Sequence, residues 1–455
     1  MRSVWPAVVL MVAACAPSTA TRTTASPNAT PEPSTTSTTA TATISSPGPD
    51  RRLVLSDEEA VAVHGAVRLE VRDGSGEALG WLDRNRPELA VNSSTDRVTF
   101  RYPGEDGGPG PVAWEQDTEA PVTIVRQPWR GEGRCAATLP DGSTAPVALA
   151  WQSGADSSIY LEQLVRAGGA VNVVSPIWWR MSGDATVSSS TDPGYVSAVR
   201  DRNVAIWPAV AGFDADAHHL VFSSPQQRSA LAAQISEQAR RIGADGVNID
   251  LEGYRVEDSD GFLAWVEELA DLVHGWGGTI SHDLVPRSDT WEVAPEELEF
   301  WSTAPQRTAL SRVTDCTILM AYDQHNRYRP AGPVASPAWV EDVLTYELRH
   351  ADPAEVVLGV PFYARIWDPD ELDRPAAVGI GELGRLIDRG DVSRDPGTGL
   401  DRVVLPDGRF FWAETVEGLE HRLDLIDEYG LAGWAAWRFG FDSPGIWESL
   451  RTRQS

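Results

Sequence analysis

Residues 245–252 read Asp-Gly-Val-Asn-Ile-Asp-Leu-Glu, and this stretch decides the predicted fold. Side chains alternate between the two faces of a β-strand, so the apolar residues face one way and Asn248, Asp250 and Glu252 face the other. Amphipathic helical patterns precede and follow the stretch, as is typical of a strand in a parallel sheet covered by helices. The sequence therefore predicts a buried parallel strand with one polar face.

Seven further apolar runs alternate with helical patterns around this strand. Together they give eight candidate strands: 146–152, 171–178, 203–210, 244–252, 279–285, 316–323, 356–363 and 431–437. Eight strands alternating with helices predict an α/β fold, a parallel (β/α)8 TIM barrel over residues 146–455. We expect two insertions, 287–313 before strand six and 367–411 after strand seven. The second is predicted to be a small α+β subdomain.

The polar face of the fourth strand is the main candidate for a reactive site. A barrel interior is normally filled by branched apolar side chains, so three polar groups there are costly unless they are hydrogen-bonded to one another. Such a local departure from the packing rule is where a functional site is expected. Glu252 comes last, at the end of the strand where such barrels carry their active sites. Burial and the nearby Asp250 are expected to raise the pKa of Glu252, which suits a general acid.

The first fifty residues are predicted to direct export and to tether the folded part. Arg2 and a short apolar run ending at Ala14 form a signal sequence over residues 1–14. Small residues directly before Cys15 resemble the lipobox of bacterial lipoproteins, which implies a lipid on Cys15 and a membrane anchor. A plain secretory signal is the alternative. Residues 15–50 are rich in Ser, Thr and Pro and predict a disordered spacer.

Residues 51–145 show short alternating stretches separated by Gly- and Pro-rich breaks, which predict a small β-rich domain of unknown role. Cys135 lies in this region. Its possible internal partner Cys316 falls in a predicted barrel strand, so we expect no disulfide between them.

Composition excludes several classes of protein. Acidic residues outnumber basic ones 66 to 38, and the net charge of −28 argues against nucleic-acid binding. All basic residues are Arg, which excludes sites that need a lysine. Three cysteines are too few for a thiolate zinc centre. His218, His219 and His325 lack a metal-ligand spacing, so we predict neither a metal nor a cofactor.

The octapeptide resembles the signature of glycoside hydrolase family 18, the chitinase-like enzymes. Leu-Met-Ala-Tyr-Asp at 319–323 and Gly-Trp-Ala-Ala-Trp at 433–437 resemble the family's sixth and last strands. Further stretches resemble the branch directed at spore cortex and peptidoglycan; they lie at 246–250, 332–336, 359–365 and 410–414. The resemblance covers about residues 146–450. Asn248 replaces the commoner Asp of the chitinases, and the peptidoglycan-directed branch often shows the same Asn.

The resemblance implies a mechanism in which the substrate's own acetamido oxygen attacks, with net retention of configuration. Glu252 would be the general acid and base, Asp250 would hold the acetamido N–H, and the Tyr322 hydroxyl would hold its oxygen. Substrate-binding roles are expected for seven further residues: Asn248, Met320, Asp323, Trp437, Trp178, Tyr363 and Arg365.

The expected function is hydrolysis of a β-linked glycan that contains N-acetylglucosamine, with peptidoglycan preferred over chitin. We expect a monomeric lipoprotein at the cell surface. One alternative is a lectin-like barrel that binds glycan without cutting it, although such relatives typically lose the acid at the position of Glu252. A structural protein of the cell wall is another.

Overall fold

The computed structural model describes residues 135–154, 157–181, 186–290 and 306–454, together with the backbone of eight strands between residues 51 and 128. The predicted signal sequence, the tether and Cys15 lie outside the described residues. Within the described part, no helix combines the length and the apolar character needed to cross a bilayer.

The region predicted to be β-rich contains eight strands. They are β1 (Arg51–Val54), β2 (Ala60–Val63), β3 (Val67–Arg72), β4 (Ala78–Asp83), β5 (Leu89–Ser93), β6 (Arg97–Pro103), β7 (Pro109–Asp117) and β8 (Thr123–Pro128). These strands form two four-stranded sheets, in the orders β1-β8-β3-β4 and β2-β5-β6-β7. All pairs are antiparallel.

The remaining chain forms the predicted barrel. After a short hairpin of β9 (Ala137–Thr138) and β10 (Thr144–Ala145), its strands are β11 (Val147–Gln152), β12 (Val173–Met181) with β13 (Val187–Ser189) at its edge, β14 (Ala205–Ile206) and β15 (Ala209–Gly212), β16 (Gly246–Leu251), β17 (Thr279–Leu284), β18 (Cys316–Leu319), β19 (Val356–Pro361) and β25 (Gly433–Trp437). Strands β14 and β15 together are barrel strand three. Parallel pairing runs around the ring, and β11 closes it by pairing with both β12 and β25.

The described part of the chain contains ten α-helices, and all except the one at Ile380–Ile387 cover the outside of the barrel. They are α1 (Ser157–Ala167), α2 (Pro193–Arg200), α3 (Ala215–Phe222), α4 (Pro225–Ile242), α5 (Ser259–His274), α6 (Arg307–Val313), α7 (Pro337–Glu347), α8 (Ile380–Ile387), α9 (Val416–Tyr429) and α10 (Pro444–Gln454). Helix α4 shows how local sequence sets the bounds: Ser224 accepts a hydrogen bond from the Gln227 amide, and Gly243 ends the helix at a φ of 69°.

The insertion after barrel strand seven is an α+β subdomain, as predicted. Strand β20 (Tyr363–Ile366) pairs with β21 (Ala376–Gly379), and helix α8 follows. Strands β22 (Asp391–Arg394), β23 (Asp401–Val404) and β24 (Phe410–Trp412) then form an antiparallel sheet. The subdomain therefore begins directly where barrel strand seven ends, at the rim that carries the candidate site.

The opposite end of the barrel is closed by a disulfide that the sequence reading did not expect. Cys135 and Cys316 are bonded, with Cα atoms 4.8 Å apart. Cys316 is the first residue of β18 and packs in the same interior cluster as Cys135 and Ala137. The prediction was wrong because Cys316 faces inward at the start of its barrel strand. A chain segment that covers this end of the barrel can therefore reach it and form the disulfide. Residues 135–139, assigned by sequence to the preceding domain, form part of that floor.

Candidate active site

Strand β16 presents the two faces that its sequence predicts. Val247, Ile249 and Leu251 belong to the apolar cluster between barrel and helices. Asn248 points inward, is completely buried, and hydrogen-bonds across the barrel interior. The alternation of the octapeptide therefore places Asp250 and Glu252 above Asn248 on the inner face.

Asn248 is held by four neighbours. Its Oδ1 accepts hydrogen bonds from the Trp151 indole and the Ser175 hydroxyl, each at 3.2 Å. Its Nδ2 donates to Ser281 Oγ at 3.0 Å and to Asp283 Oδ1 at 2.8 Å. Full satisfaction of its amide explains how a polar group is tolerated in this interior.

Asp250 and Glu252 are the reactive candidates of the strand. Burial raises the pKa of Asp250 well above its ordinary value, and the charge of Asp283 adds to this. Burial likewise raises the pKa of Glu252 well above its ordinary value, followed by repulsion from Asp250 and Asp323. Neither carboxyl accepts a hydrogen bond from any residue that the structure describes. The raised pKa of Glu252 favours its protonated form, as a general acid requires, and Asp250 has no hydrogen-bond partner among the described residues that a ligand would have to displace.

Tyr322 and Trp437 complete the mouth of the barrel. The Tyr322 hydroxyl is buried and has no hydrogen-bond partner among the described residues. Burial raises the pKa of Tyr322 well above its ordinary value, and the charges of Asp283, Tyr363, Asp250 and Glu252, in decreasing order, add to this. Met320 packs in the same small cluster as Tyr322. The partly exposed Trp437 packs against this cluster and against the inward side chains of barrel strands two and three.

Asp323, Tyr363 and Arg365 form a fixed group beside the mouth. Asp323 Oδ1 accepts hydrogen bonds from the Tyr363 hydroxyl at 2.6 Å and from Arg365 Nη2 at 2.7 Å. Asp323 adopts a φ of 62°, a left-handed conformation that costs a non-glycine residue about 1 kcal/mol. This backbone turn aims the carboxylate at its two partners. Gly359 leaves room for the site, since a Cβ there would lie 3.1 Å from the Tyr322 ring and 2.5 Å from the Leu319 carbonyl oxygen.

Comparison with known proteins agrees with this geometry. The family model described as "Glycosyl hydrolases family 18" matches residues 188–442, more than half of the chain. The chain belongs to this family.

Curated relatives carry related names. The chain is 21% identical to "Uncharacterized glycosylase YvbX" of Bacillus subtilis over 53% of this chain and 71% of that protein. It is 23% identical to the "Cortical fragment-lytic enzyme" of the same organism over 48% of this chain and 51% of that protein. The aligned part thus spans only about half the length of the latter relative.

Solved structures show the same fold. A chitinase from Chromobacterium violaceum superposes with a TM-score of 0.61 at 22% identity, covering 68% of this chain and 99% of that one. The spore cortex-lytic enzyme SleL of Bacillus cereus superposes with a TM-score of 0.59 at 17% identity, covering 67% and 73%. The fold is the family-18 TIM barrel, and the protein is a glycosidase.

One predicted binding residue of this family-18 barrel lies elsewhere. Trp178 is 2% exposed, packs edge to face on Tyr195 of α2, and belongs to the cluster between barrel and helices. Ile177 faces the interior instead. The structure therefore does not place Trp178 at the sugar site. The adjacent Trp179 belongs to the same outer cluster, because the strand register shifts between Ile177 and Trp179 and interrupts the alternation.

Two charged residues at the family-18 site were missed by the sequence reading. Asp283 on β17 is 8% exposed and bonds to Asn248. The position of Ser281 and Asp283 at alternate residues, between Ile280 and Leu284, was a usable signal for a polar inner face. Arg180, near the end of β12, is exposed, and its positive charge lowers the pKa of Asp250. Its guanidinium makes no ion pair within the described part of the chain.

Metal-ligating side chains do not cluster among the described residues. They contain no group of three or more His, Cys, Asp or Glu side chains that could hold a metal ion. Each histidine that the sequence reading considered lies in a different setting. His218 packs on Phe222, His219 bonds to Asp258 at 2.8 Å, and His325 bonds to the Pro330 carbonyl.

Proposed function

We propose that the protein is an exported hydrolase of β-linked glycans containing N-acetylglucosamine, with peptidoglycan preferred over chitin, and that it works by retaining, substrate-assisted catalysis. The observation that carries the proposal is the group of Glu252, Asp250 and Tyr322 at the barrel mouth. All three present polar atoms that no described residue engages, whereas both polar atoms of the Asn248 side chain and the Oδ1 atom of Asp323 are hydrogen-bonded. Unengaged polar atoms at a buried site are available to a substrate.

Glu252 is the proposed general acid. Its raised pKa keeps a proton that it can give to the glycosidic oxygen as the bond breaks. The resulting carboxylate then takes a proton from the attacking water. A family-18 enzyme uses no protein nucleophile, because the substrate's acetamido oxygen attacks the anomeric carbon.

Asp250 and Tyr322 are the proposed partners of the acetamido group. The Asp250 carboxyl accepts the N–H and stabilises the positive charge that develops on the oxazolinium ring. The Tyr322 hydroxyl donates to the acetamido oxygen and keeps it aligned for attack. Trp437 provides an apolar floor for the sugar, and Met320 lines the same pocket. Tyr363 and Arg365 hold Asp323 in place beside it.

Arg180 supports the preference for peptidoglycan. Peptidoglycan carries carboxylates on its lactyl groups and stem peptides, whereas chitin is neutral. The Arg180 guanidinium is exposed and has no ion-pair partner among the described residues. It is close enough to Asp250 for its charge to lower the pKa of that carboxyl, so it can bind a carboxylate of the glycan at the same site. The similarity to the cortical fragment-lytic enzyme of Bacillus subtilis supports the same substrate class.

Export and anchoring are supported from two sides. The disulfide between Cys135 and Cys316 is typical of proteins that fold in an oxidising compartment. The third cysteine of the chain is Cys15, within the lipobox-like stretch. We propose that it carries the lipid that holds a monomeric enzyme at the cell surface.

Mass analysis of products tests the proposal. The wild type is incubated with purified peptidoglycan and, separately, with chitin oligomers, beside Glu252→Gln. We expect glycan fragments from the wild type, faster from peptidoglycan, and none from the variant, which still binds. Binding without products in the wild type would favour the lectin-like alternative.

The substrate preference has its own control. Arg180→Gln is compared with Arg241→Gln, which changes an exposed arginine on α4. We expect Arg180→Gln to lower kcat/KM about tenfold on peptidoglycan and to leave chitin oligomers within about twofold. Equal losses on both substrates would mean that Arg180 serves Asp250 and not a substrate carboxylate.

A further inference from the structure

The inner carboxylate of this barrel stands on a different strand from the one that the sequence signature indicates. The resemblance places Asp in many chitinases where this chain has Asn248, which leaves strand β16 one carboxylate short. Strand β17 carries a carboxylate at the neighbouring position. Parallel pairing sets Asn248 beside Ser281 and Ile249 beside His282, so the next step sets Asp250 beside Asp283.

Asp283 is held firmly toward the catalytic strand. Its Oδ1 accepts a hydrogen bond of 2.8 Å from Asn248 Nδ2, and the side chain is buried. Its Oδ2 is buried and accepts no hydrogen bond from the described residues. One carboxylate oxygen is therefore anchored, and the other is left for the neighbouring Asp250.

We propose that Asp283 is a positioning residue that replaces the missing carboxylate of strand β16, shares one proton with Asp250, and keeps Glu252 protonated. This inference rests on the proposed function. The Asp250 and Asp283 carboxyls together hold one proton and one negative charge. That charge faces the cationic ring formed during the reaction, and it disfavours loss of the Glu252 proton.

The surroundings of Asp283 agree with this role. The titratable and charged groups that act on the pair are Glu252, Tyr322 and Arg180. Burial raises the pKa of Asp283 well above its ordinary value, while the hydrogen bond from Asn248 opposes the shift. Arg180 is the one cation among these groups, so the pair is not neutralised by an adjacent ion pair within the described residues.

An exchange of the two residues provides the test. Asp283→Asn keeps an oxygen to accept from Asn248 but removes the charge. The double variant Asn248→Asp with Asp283→Asn returns the carboxylate to strand β16, where Trp151 and Ser175 already donate to position 248. Asp271→Asn, an exposed carboxylate on α5, is the matched control.

We expect Asp283→Asn to lower kcat about 100-fold with KM nearly unchanged, and to move the alkaline limb of the rate profile to lower pH. The double variant regains kcat to within about tenfold of the wild type and restores the alkaline limb. A merely structural Asp283 would give Asp283→Asn the wild-type kcat and profile, which would overturn the inference while leaving the function intact. A wild type inactive on every N-acetylglucosamine glycan would instead refute the proposed function.

Misfolding is distinguished by thermal unfolding. Asp283→Asn removes a buried carboxylate with a raised pKa, so its unfolding temperature is expected to equal or exceed that of the wild type. Failure of the double variant to regain activity, with an unchanged unfolding temperature, would also count against the inference.

Discussion

The two ends of the barrel follow opposite rules. At the floor, Cys135, Cys316 and apolar neighbours fill the interior, and a covalent bond closes it. At the mouth, the Tyr322 hydroxyl and Asp283 Oδ2 are buried and have no hydrogen-bond partner in the described part of the chain, beside the buried Asp250 and the partly buried Glu252. The floor is arranged for stability, and the mouth keeps polar atoms unengaged at a cost in stability. Substitutions at the mouth should therefore change activity, and substitutions at the floor should change stability.

Glu252→Gln is expected to have the largest effect. Loss of the proton donor lowers kcat by about 10³- to 10⁴-fold. The unfolding temperature stays the same or rises, because the variant removes a buried carboxyl with a raised pKa. Steady-state kinetics and thermal unfolding on the same preparation measure both. A variant that loses stability together with activity would contradict the contrast between the two ends.

Removing the disulfide is expected to give the reverse result. Cys135→Ala with Cys316→Ala frees a loop that spans 181 residues of sequence, and a crosslink over so long a loop contributes about 4–5 kcal/mol. We expect denaturant unfolding to show most of this loss. The kcat at 25 °C is expected to stay within about twofold, since the disulfide lies at the opposite end from Glu252. A large fall in kcat in the folded variant would contradict the view that the floor of the barrel serves stability and the mouth serves activity.

Tyr322→Phe tests the contribution of the phenol hydroxyl independently of the two carboxyls. The hydroxyl has no partner to lose among the described residues, so the free energy of unfolding is expected to remain within about 0.5 kcal/mol of the wild type. Loss of the hydrogen bond to the acetamido oxygen lowers kcat about 100-fold. Chemical denaturation and kinetics provide the two readings. A stability loss of several kcal/mol would show that Tyr322 is part of the core.

The pH dependence of stability sharpens the contrast further. The pKa of Glu252 is raised above its ordinary value of 4.5 by burial and then by Asp250 and Asp323. Between the ordinary and the raised pKa the unfolded chain has lost the proton that the folded chain keeps. The free energy of unfolding therefore falls as the pH rises through this window. Thermal unfolding of wild type and Glu252→Gln should show a difference in favour of the variant that grows with pH; a constant difference would contradict the assignment.

The smallest effect is expected at Trp178. Trp178→Phe changes the layer between barrel and helices and should leave KM within about twofold. The matched change Trp437→Phe alters the proposed sugar floor and should raise KM about tenfold. Substrate titrations of both variants provide the check. A larger change in KM at Trp178 than at Trp437 would reverse the assignment of the two indoles.

The strands could be predicted because each is a compact apolar run bounded by helical pattern. Strand six is instructive: predicted over 316–323, it pairs only over Cys316–Leu319. The remaining residues leave the ladder, and Asp323 turns into the left-handed region to meet Tyr363 and Arg365. The residue types of 316–323 do not show that strand pairing stops at Leu319, or that the residues after it contribute to the site.

The features that were missed depend on contacts between distant residues. The disulfide joins Cys316 to a segment 181 residues earlier, and no local pattern reports which segment covers the floor. The proposed role of Asp283 follows from its position beside Asp250 on the neighbouring strand, which the local sequence around Asp283 does not show. Glu252 and Asp250, by contrast, were predictable because one strand carries both, and the alternation fixes their common face.

The central claim is that Glu252 acts on a bond whose neighbouring acetamido group is the nucleophile. Proton NMR of the first product released from a soluble N-acetylglucosamine oligomer, recorded before the anomers equilibrate, tests it most directly. We expect the β-anomer from the wild type and no product from Glu252→Gln. The α-anomer as first product would mean direct attack by water, and it would contradict the mechanism.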